Sequence, residues 1–242
     1  MRFNRIFLCF LALIFLFPAC TAAKAEDLAK EIPVTSEKAN EDFLSTLTFL
    51  GDSTTAHMAS RAPIRDKAQV WMTKSRYLNL DSRITYAKII SPKSGKEEKI
   101  ADVAADIRPA RLVVTLGIDY GVYYYRDTPE TFVFYYEKLL DAIAAASPET
   151  NLILQSVFPV GKNSVAITNE MVKKANDSIK EIAARRGLVY VDTYSLLVDE
   201  SGALAPAYCS SEDGIHLTAA AYRVIFENLL AARGEIERRE RA

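Results

Sequence analysis

Cysteine and histidine are scarce in this chain. Of 242 residues three are cysteine and two histidine, and Cys9 and Cys20 lie in or beside an apolar N-terminal stretch, which leaves Cys209 alone further on. A lone cysteine makes no internal disulfide, so the fold has to rest on its core. His57 and His216 with one cysteine offer no zinc-ligand spacing. Neither sign of charge dominates: 30 Lys and Arg stand against 31 Asp and Glu, a net charge of -1. The chain therefore has no global field to draw nucleic acid or an anionic surface. Internal repeats and low-complexity linkers are also lacking, and the length, with half the residues apolar, suits one globular domain plus a short export segment.

The one long uncharged run, residues 6–17, follows Arg2 and Arg5 and precedes small residues, which is the order of a secretory signal peptide. It is too short to span a bilayer. Ala23-Lys24-Ala25 suits cleavage before Glu26; the alternative takes Phe-Pro-Ala-Cys as a lipoprotein box lipidated at Cys20. Either reading exports the protein to an extracellular, cell-surface or periplasmic site, with membrane contact only if Cys20 carries lipid. Residues 26–42 read as a polar leader, 43–232 as the folded domain and 233–242 as a charged, solvated helix extension.

Within the domain, short apolar runs alternate with longer segments of helical period. The runs are residues 46–52, 68–72, 110–117, 151–159 and 187–192, and uninterrupted Val/Ile/Leu stretches between turn residues suit strands covered on both faces. Between them, Thr128 and Pro129 open a helix whose Phe132, Tyr136, Leu139, Leu140 and Ile143 share a face. Ile167, Met171, Ala175, Ile179 and Ile182 mark a second, stopped by Gly187, and Tyr222, Phe226 and Leu229 mark the last. Such alternation predicts a three-layer α/β/α fold, with ligands beyond the carboxyl ends of the strands.

That rule locates the stretch Phe-Leu-Gly-Asp-Ser. Ser53 follows the first strand and begins a helix, so its hydroxyl stands at the mouth of the site with backbone N–H groups at hand for a developing negative charge. A serine needs a base to become nucleophilic. His216 follows Asp213 by three residues on one loop, a spacing that lets the carboxylate orient the imidazole and stabilise its cation. His57, four residues after Ser53, has no comparable carboxylate and reads as a helix-face residue near the cleft.

Phe-Leu-Gly-Asp-Ser-Thr-Thr, Val-Val-Thr-Leu-Gly-Ile-Asp-Tyr-Gly and Asp-Gly-Ile-His-Leu resemble, in order and spacing, the signature blocks of the SGNH/GDSL hydrolases, over residues 43–230. The resemblance implies a flavodoxin-like five-stranded parallel sheet and ester hydrolysis through an acyl-enzyme, without metal or organic cofactor. It makes Ser53 the nucleophile, His216 the base and Asp213 its partner. The Ser53 N–H would be one oxyanion donor, and Gly117, Asp119 and Tyr120 of the middle block would border oxyanion and substrate. Asp52 matches the aspartate that secures the turn.

Two positions depart from the pattern. No glycine occurs in residues 72–91, after the second strand, where the family's would supply another N–H, and Asp119 stands where the family has an asparagine. An ionised carboxylate about 4 Å from an oxyanion would be repelled by about 4 kcal/mol at an effective dielectric of roughly 20, enough to cancel a donor's contribution. Asp119 must then act protonated or swing away, and slow or acid-favoured ester hydrolysis is expected.

Tyr120, Tyr123, Tyr124 and Tyr125 suggest a sugar- or acyl-binding wall, Trp71 reads as core and Cys209 as a small filler. The expected substrate is a small acyl ester, acetyl on carbohydrate foremost. The rivals are a lipid-directed esterase, lysophospholipase or thioesterase, and a degenerate glycan-binding module.

Overall fold

Five of the apolar runs become strands of one sheet in the computed structural model, which describes residues 34–241. The expected signal peptide and Cys20 lie outside the described residues. The chain divides into two units, residues 1–38 and 39–242, and the sheet lies in the second. In chain order the elements are α1 Val34–Ser45, β1 Leu47–Gly51, α2 Ser53–Ala56, α3 Met58–Arg61, β2 Val70–Trp71, β3 Lys88–Ile90, β4 Glu97–Lys99 and α4 Ile100–Ile107. Then come β5 Arg111–Thr115, α5 Pro129–Ala146, β6 Asn151–Gln155, α6 Asn169–Arg186, β7 Val189–Val191, α7 Tyr194–Leu197 and α8 Ala219–Arg239.

The sheet order is β2-β1-β5-β6-β7 and every neighbouring pair is parallel, so the chain winds one way from β1 to β2 and the other way from β5 onward. Successive strand residues point to opposite faces. Leu50, Leu112, Val114, Leu152 and Leu154 pack with α4, α5 and α6, whereas Leu47, Phe49, Val113, Ile153, Val189 and Val191 pack with α8. Both faces are dry, which is why these strands read as continuous apolar runs. Burying each such side chain contributes about 1.5–3 kcal/mol against chain entropy. The fold is the expected three-layer sandwich with a five-stranded parallel sheet. No helix among the described residues is long and apolar enough to cross a membrane.

Some details differ from expectation. Part of the supposed leader, from Val34, belongs to α1. The stretch between β2 and β5, unassigned from sequence, holds the antiparallel pair β3–β4 and α4. The charged C-terminus does continue the last helix, but it is not wholly solvated. Ile236 is buried, and Glu240 takes a two-pronged bond from Arg111, at 2.5 Å and 2.7 Å, at the start of β5. Trp71 is core, as expected.

Candidate active site

The site begins where β1 meets the middle block. A methyl group on Gly51 would lie 2.0 Å from the Thr115 carbonyl and 2.2 Å from Thr55 Oγ1, so only glycine lets β1 and β5 come this close at their carboxyl ends. The next residue, Asp52, is buried, and its carboxylate joins the two blocks. Oδ2 accepts the Gly117 and Ile118 N–H groups at 2.9 Å and 2.8 Å, and Oδ1 accepts the Thr54 hydroxyl at 2.9 Å. Burial pushes the Asp52 pKa up, against those donors. Gly117 therefore spends its N–H on Asp52, and its φ of +143°, with Phe132 and Val157 just beyond, suits a residue without a side chain.

With the turn fixed, Ser53 faces Asp119. The Ser53 N–H donates to Asp119 Oδ2 at 2.8 Å and its hydroxyl to Oδ1 at 2.6 Å. The carboxyl group thus holds the N–H expected to serve an oxyanion, and holds the hydroxyl proton as well. Its pKa is pushed up to about 7, first by burial and then by the Asp52 charge, with the Ser53 donors and the Leu78 N–H pulling the other way. Near neutral pH this group changes charge while lying against the serine.

The loop before α8 brings the other pair. His216 Nδ1 lies 3.4 Å from Asp213 Oδ2, and Asp213 Oδ1 accepts the Ser211 hydroxyl and the Ile215 N–H. Partial burial raises the Asp213 pKa, but the Ser211 and Ile215 donors and His216 outweigh it and hold the carboxyl below its usual range. No hydrogen bond among the described residues joins the His216 ring to Ser53; the serine proton is given to Asp119. His57, whose backbone N–H donates to the Ser53 carbonyl at 3.1 Å, sets its ring centroid 4.5 Å from that of His216. Burial, and next His216, lower the His57 pKa to about 4, so this ring is neutral at physiological pH.

Two anchors escaped the sequence reading. Arg61 Nη1 donates to Ser210 Oγ at 2.6 Å and to the Leu217 carbonyl at 2.9 Å, which pins both ends of the Asp213–His216 loop to α3. The buried Tyr222 hydroxyl donates to the Thr54 carbonyl at 2.6 Å and ties α8 to α2. A basic residue two turns after the serine was the signal available for Arg61. In the tyrosine run, Tyr120 stacks on Tyr124 at 3.8 Å and Tyr125 packs against Tyr135, while Tyr123 and Tyr124 keep exposed surface. Cys209 is half-buried, its thiol against the Ser211 carbonyl.

Ser53 itself is 3% exposed, so its hydroxyl lies covered beneath Asp119 rather than open at the mouth of the site as expected. A buried Gly-Asp-Ser turn and a histidine–aspartate loop on this sheet define a hydrolase-like class of α/β site. The model of the GDSL-like Lipase/Acylhydrolase family matches residues 49–224, and the chain belongs to that family. Among solved structures, a GDSL-like lipase from Bacteroides thetaiotaomicron is 18% identical at a TM-score of 0.55, covering 89% of this chain and 96% of that one. A protein described as a platelet activating factor from Streptococcus pneumonia is 16% identical at 0.50, covering 87% and 99%. An acylhydrolase from Bacteroides fragilis aligns at 20% identity and 0.45 over 56% of this chain, which spans 64% of that protein's length. The first two of these likenesses bear on fold. No curated protein sequence matches the chain.

Proposed function

We propose that this protein is an exported serine esterase that removes small acyl groups, acetyl foremost, from carbohydrate. The observation that supports it best is the Asp213–His216 pair on the loop before α8, its imidazole 4.5 Å, ring centre to ring centre, from His57, four residues after Ser53. In this reading His216 takes the Ser53 hydroxyl proton as Oγ bonds to the ester carbon, and Asp213 stabilises the imidazolium. The tetrahedral oxyanion takes the Ser53 N–H, which Asp119 must release. Collapse breaks the bond to the alcohol, which leaves with the proton from His216. Water, deprotonated by the same histidine, then hydrolyses the acyl-serine and restores the hydroxyl.

Asp119 is productive when protonated, since it can then donate toward the oxyanion; ionised, it repels the oxyanion and keeps the serine proton. The test is hydrolysis of p-nitrophenyl acetate by the purified protein beside Ser53→Ala and His216→Ala. Each substitution is expected to lower kcat by at least about 10³-fold. Asp119 in the oxyanion position also favours a second reading, a binding module without turnover. Absence of Ser53-dependent hydrolysis from pH 5 to 9 would move the assignment there.

A further inference from the structure

A cleft of about 700 Å³ lies outside the catalytic residues. Its walls come from the segment after β2, from the short helical turn Ile84–Tyr86 and from the β3–β4 pair, and Tyr77, Asn79, Asp81, Arg83, Tyr86 and Lys74 line it. The volume falls within the range of ligand pockets. We propose that this cleft is the binding site for the neutral, hydroxyl-rich saccharide portion of an acylated substrate. The proposal rests on the esterase reading for its chemistry, and on the following geometry for its place.

The cleft is joined to the serine. The Leu80 N–H donates to the Tyr120 carbonyl at 3.1 Å, immediately after Asp119, and the Leu78 N–H acts on the Asp119 carboxyl itself. Leu78 and Asp81 both line the cleft, so one short segment forms its wall and also borders the group that holds Ser53. Arg76, just before that segment, lies close enough to His57 to help lower its pKa. A saccharide in the cleft would therefore contact the segment that borders Asp119, the residue holding Ser53.

The lining suits sugar rings better than an acyl chain or a charged polymer. Tyr77 and Tyr86 are 58% and 68% exposed, among the most exposed large side chains of the molecule, and aromatic faces pack on the C–H faces of sugars while the hydroxyls bond the rim. Exposing Tyr77 takes a specific backbone. Arg76 is left-handed at φ +65°, a conformation costly for a side-chain-bearing residue, and Thr73 Oγ1 holds the turn by donating to the Tyr77 carbonyl at 2.9 Å. Arg83 and Asp81, also in the lining, pair at 3.0 Å and offer a donor and an acceptor with no net charge. Lys74 and Lys88 against Glu97 leave little further charge. Lys99 lies over Tyr86 at 5.4 Å from the ring centroid and steadies it.

The experiment compares two esters with the wild type, Tyr77→Ala, Tyr86→Ala and Tyr77→Phe. One ester is p-nitrophenyl acetate, too small to fill the cleft; the other is O-acetylated xylotetraose. The ratio of kcat/KM on the oligosaccharide to that on the small ester should fall about tenfold in each alanine variant, the scale of one lost aromatic contact, and should recover in Tyr77→Phe. A ratio unmoved by either alanine overturns the proposal. Calorimetric titration of Ser53→Ala with xylotetraose separates the two readings. Binding that depends on Tyr77 and Tyr86, in a protein whose wild type shows no Ser53-dependent hydrolysis, sinks the esterase and keeps the cleft. Intact hydrolysis of p-nitrophenyl acetate with no xylotetraose binding sinks the cleft and keeps the esterase.

Discussion

Replacing Asp119 by Asn removes one ionisation while keeping the size of the side chain that lies against Ser53. In the wild type both carboxyl oxygens accept from the serine, the N–H at 2.8 Å and the hydroxyl at 2.6 Å. In the variant the amide oxygen can keep the N–H, while the amide NH₂ facing Oγ is a donor, which frees the hydroxyl proton for His216 and offers a donor to the oxyanion. The Asp119 pKa is raised from 3.8 to about 7. Its protonated fraction is then about nine-tenths at pH 6 and about one-thirtieth at pH 8.5. If the protonated form is the working one, wild-type kcat/KM falls about thirtyfold over that interval, and the ratio of Asp119→Asn to wild type rises by the same factor. Stability should move in parallel. A carboxyl raised in the folded state costs nothing below its unfolded pKa of 3.8, costs progressively more as pH rises, and costs its full amount above about 7. Roughly three pKa units at 1.36 kcal/mol each set an upper bound of about 4 kcal/mol, reduced by the partial exposure of the side chain. Asp119→Asn should therefore gain thermal midpoint at pH 8 and gain little at pH 4. The assays are p-nitrophenyl acetate kinetics from pH 5 to 9 and melts at both ends. A ratio flat across pH, or a variant inactive throughout, would refute the reasoning and make the carboxylate itself necessary.

Gly51→Ala should cost more than about 3 kcal/mol or abolish folding, because the methyl would meet a backbone carbonyl that can move only by separating β1 from β5; urea midpoints check it. Nitrogen-15 titration of the imidazoles should find His57 protonating near pH 4. Its lowered pKa means that its share of stability is whole above 6.5 and is lost as pH falls toward 4, so His57→Phe should flatten the acid side of the stability curve. Arg61→Ala should lower kcat/KM about tenfold by loosening the loop that carries Asp213 and His216, with loss of order at Ser210 and Leu217 read by hydrogen exchange.

The sheet was legible because burial on both faces leaves a strong mark in sequence. Residues 112–114 and 152–154 are apolar on every step, and the structure lays alternate members against different helix layers. The β3–β4 pair left no such mark: its strands read Lys-Ile-Ile and Glu-Glu-Lys, half of them exposed. Helix α4 starts after Lys99 without a capping side chain and ends on Arg108 at φ +50° rather than on glycine, so neither of its ends carried the usual signal. At the site, Ser53, Asp213 and His216 stood out because each sits in a short local motif. The Asp119–Ser53 contact spans 66 residues and depends on β1 pairing with β5 in register, Gly51 opposite Thr115. His57 and Arg61 depend on the bend between α2 and α3, where the helical period breaks after one turn. The tyrosine run was visible as a cluster, though not the stacking of Tyr120 on Tyr124 within it, and the exposed rings of the cleft, Tyr77 and Tyr86, lie in a stretch with no periodicity to announce them.

Asp52 links the fold to the pH response, and that link can be tested. Its carboxylate is held by the Gly117 and Ile118 N–H groups, which fix the middle block, and its charge is the second cause of the raised Asp119 pKa. Asp52→Asn acts on both. The amide NH₂ would confront two N–H donors, and leaving those buried groups unpaired costs about 1–3 kcal/mol each, so the melting point should fall. Loss of the charge should at the same time lower the Asp119 pKa and move the alkaline fall in kcat/KM to lower pH. The two effects separate cleanly, because the fraction of protein folded scales the whole pH profile while a changed pKa moves its midpoint. In the double variant with Asp119→Asn the melting-point loss should remain and the shift should vanish. An alkaline limb that keeps its position in Asp52→Asn would mean that burial alone sets the Asp119 pKa, and that the structural aspartate of the turn has no part in when the serine is released.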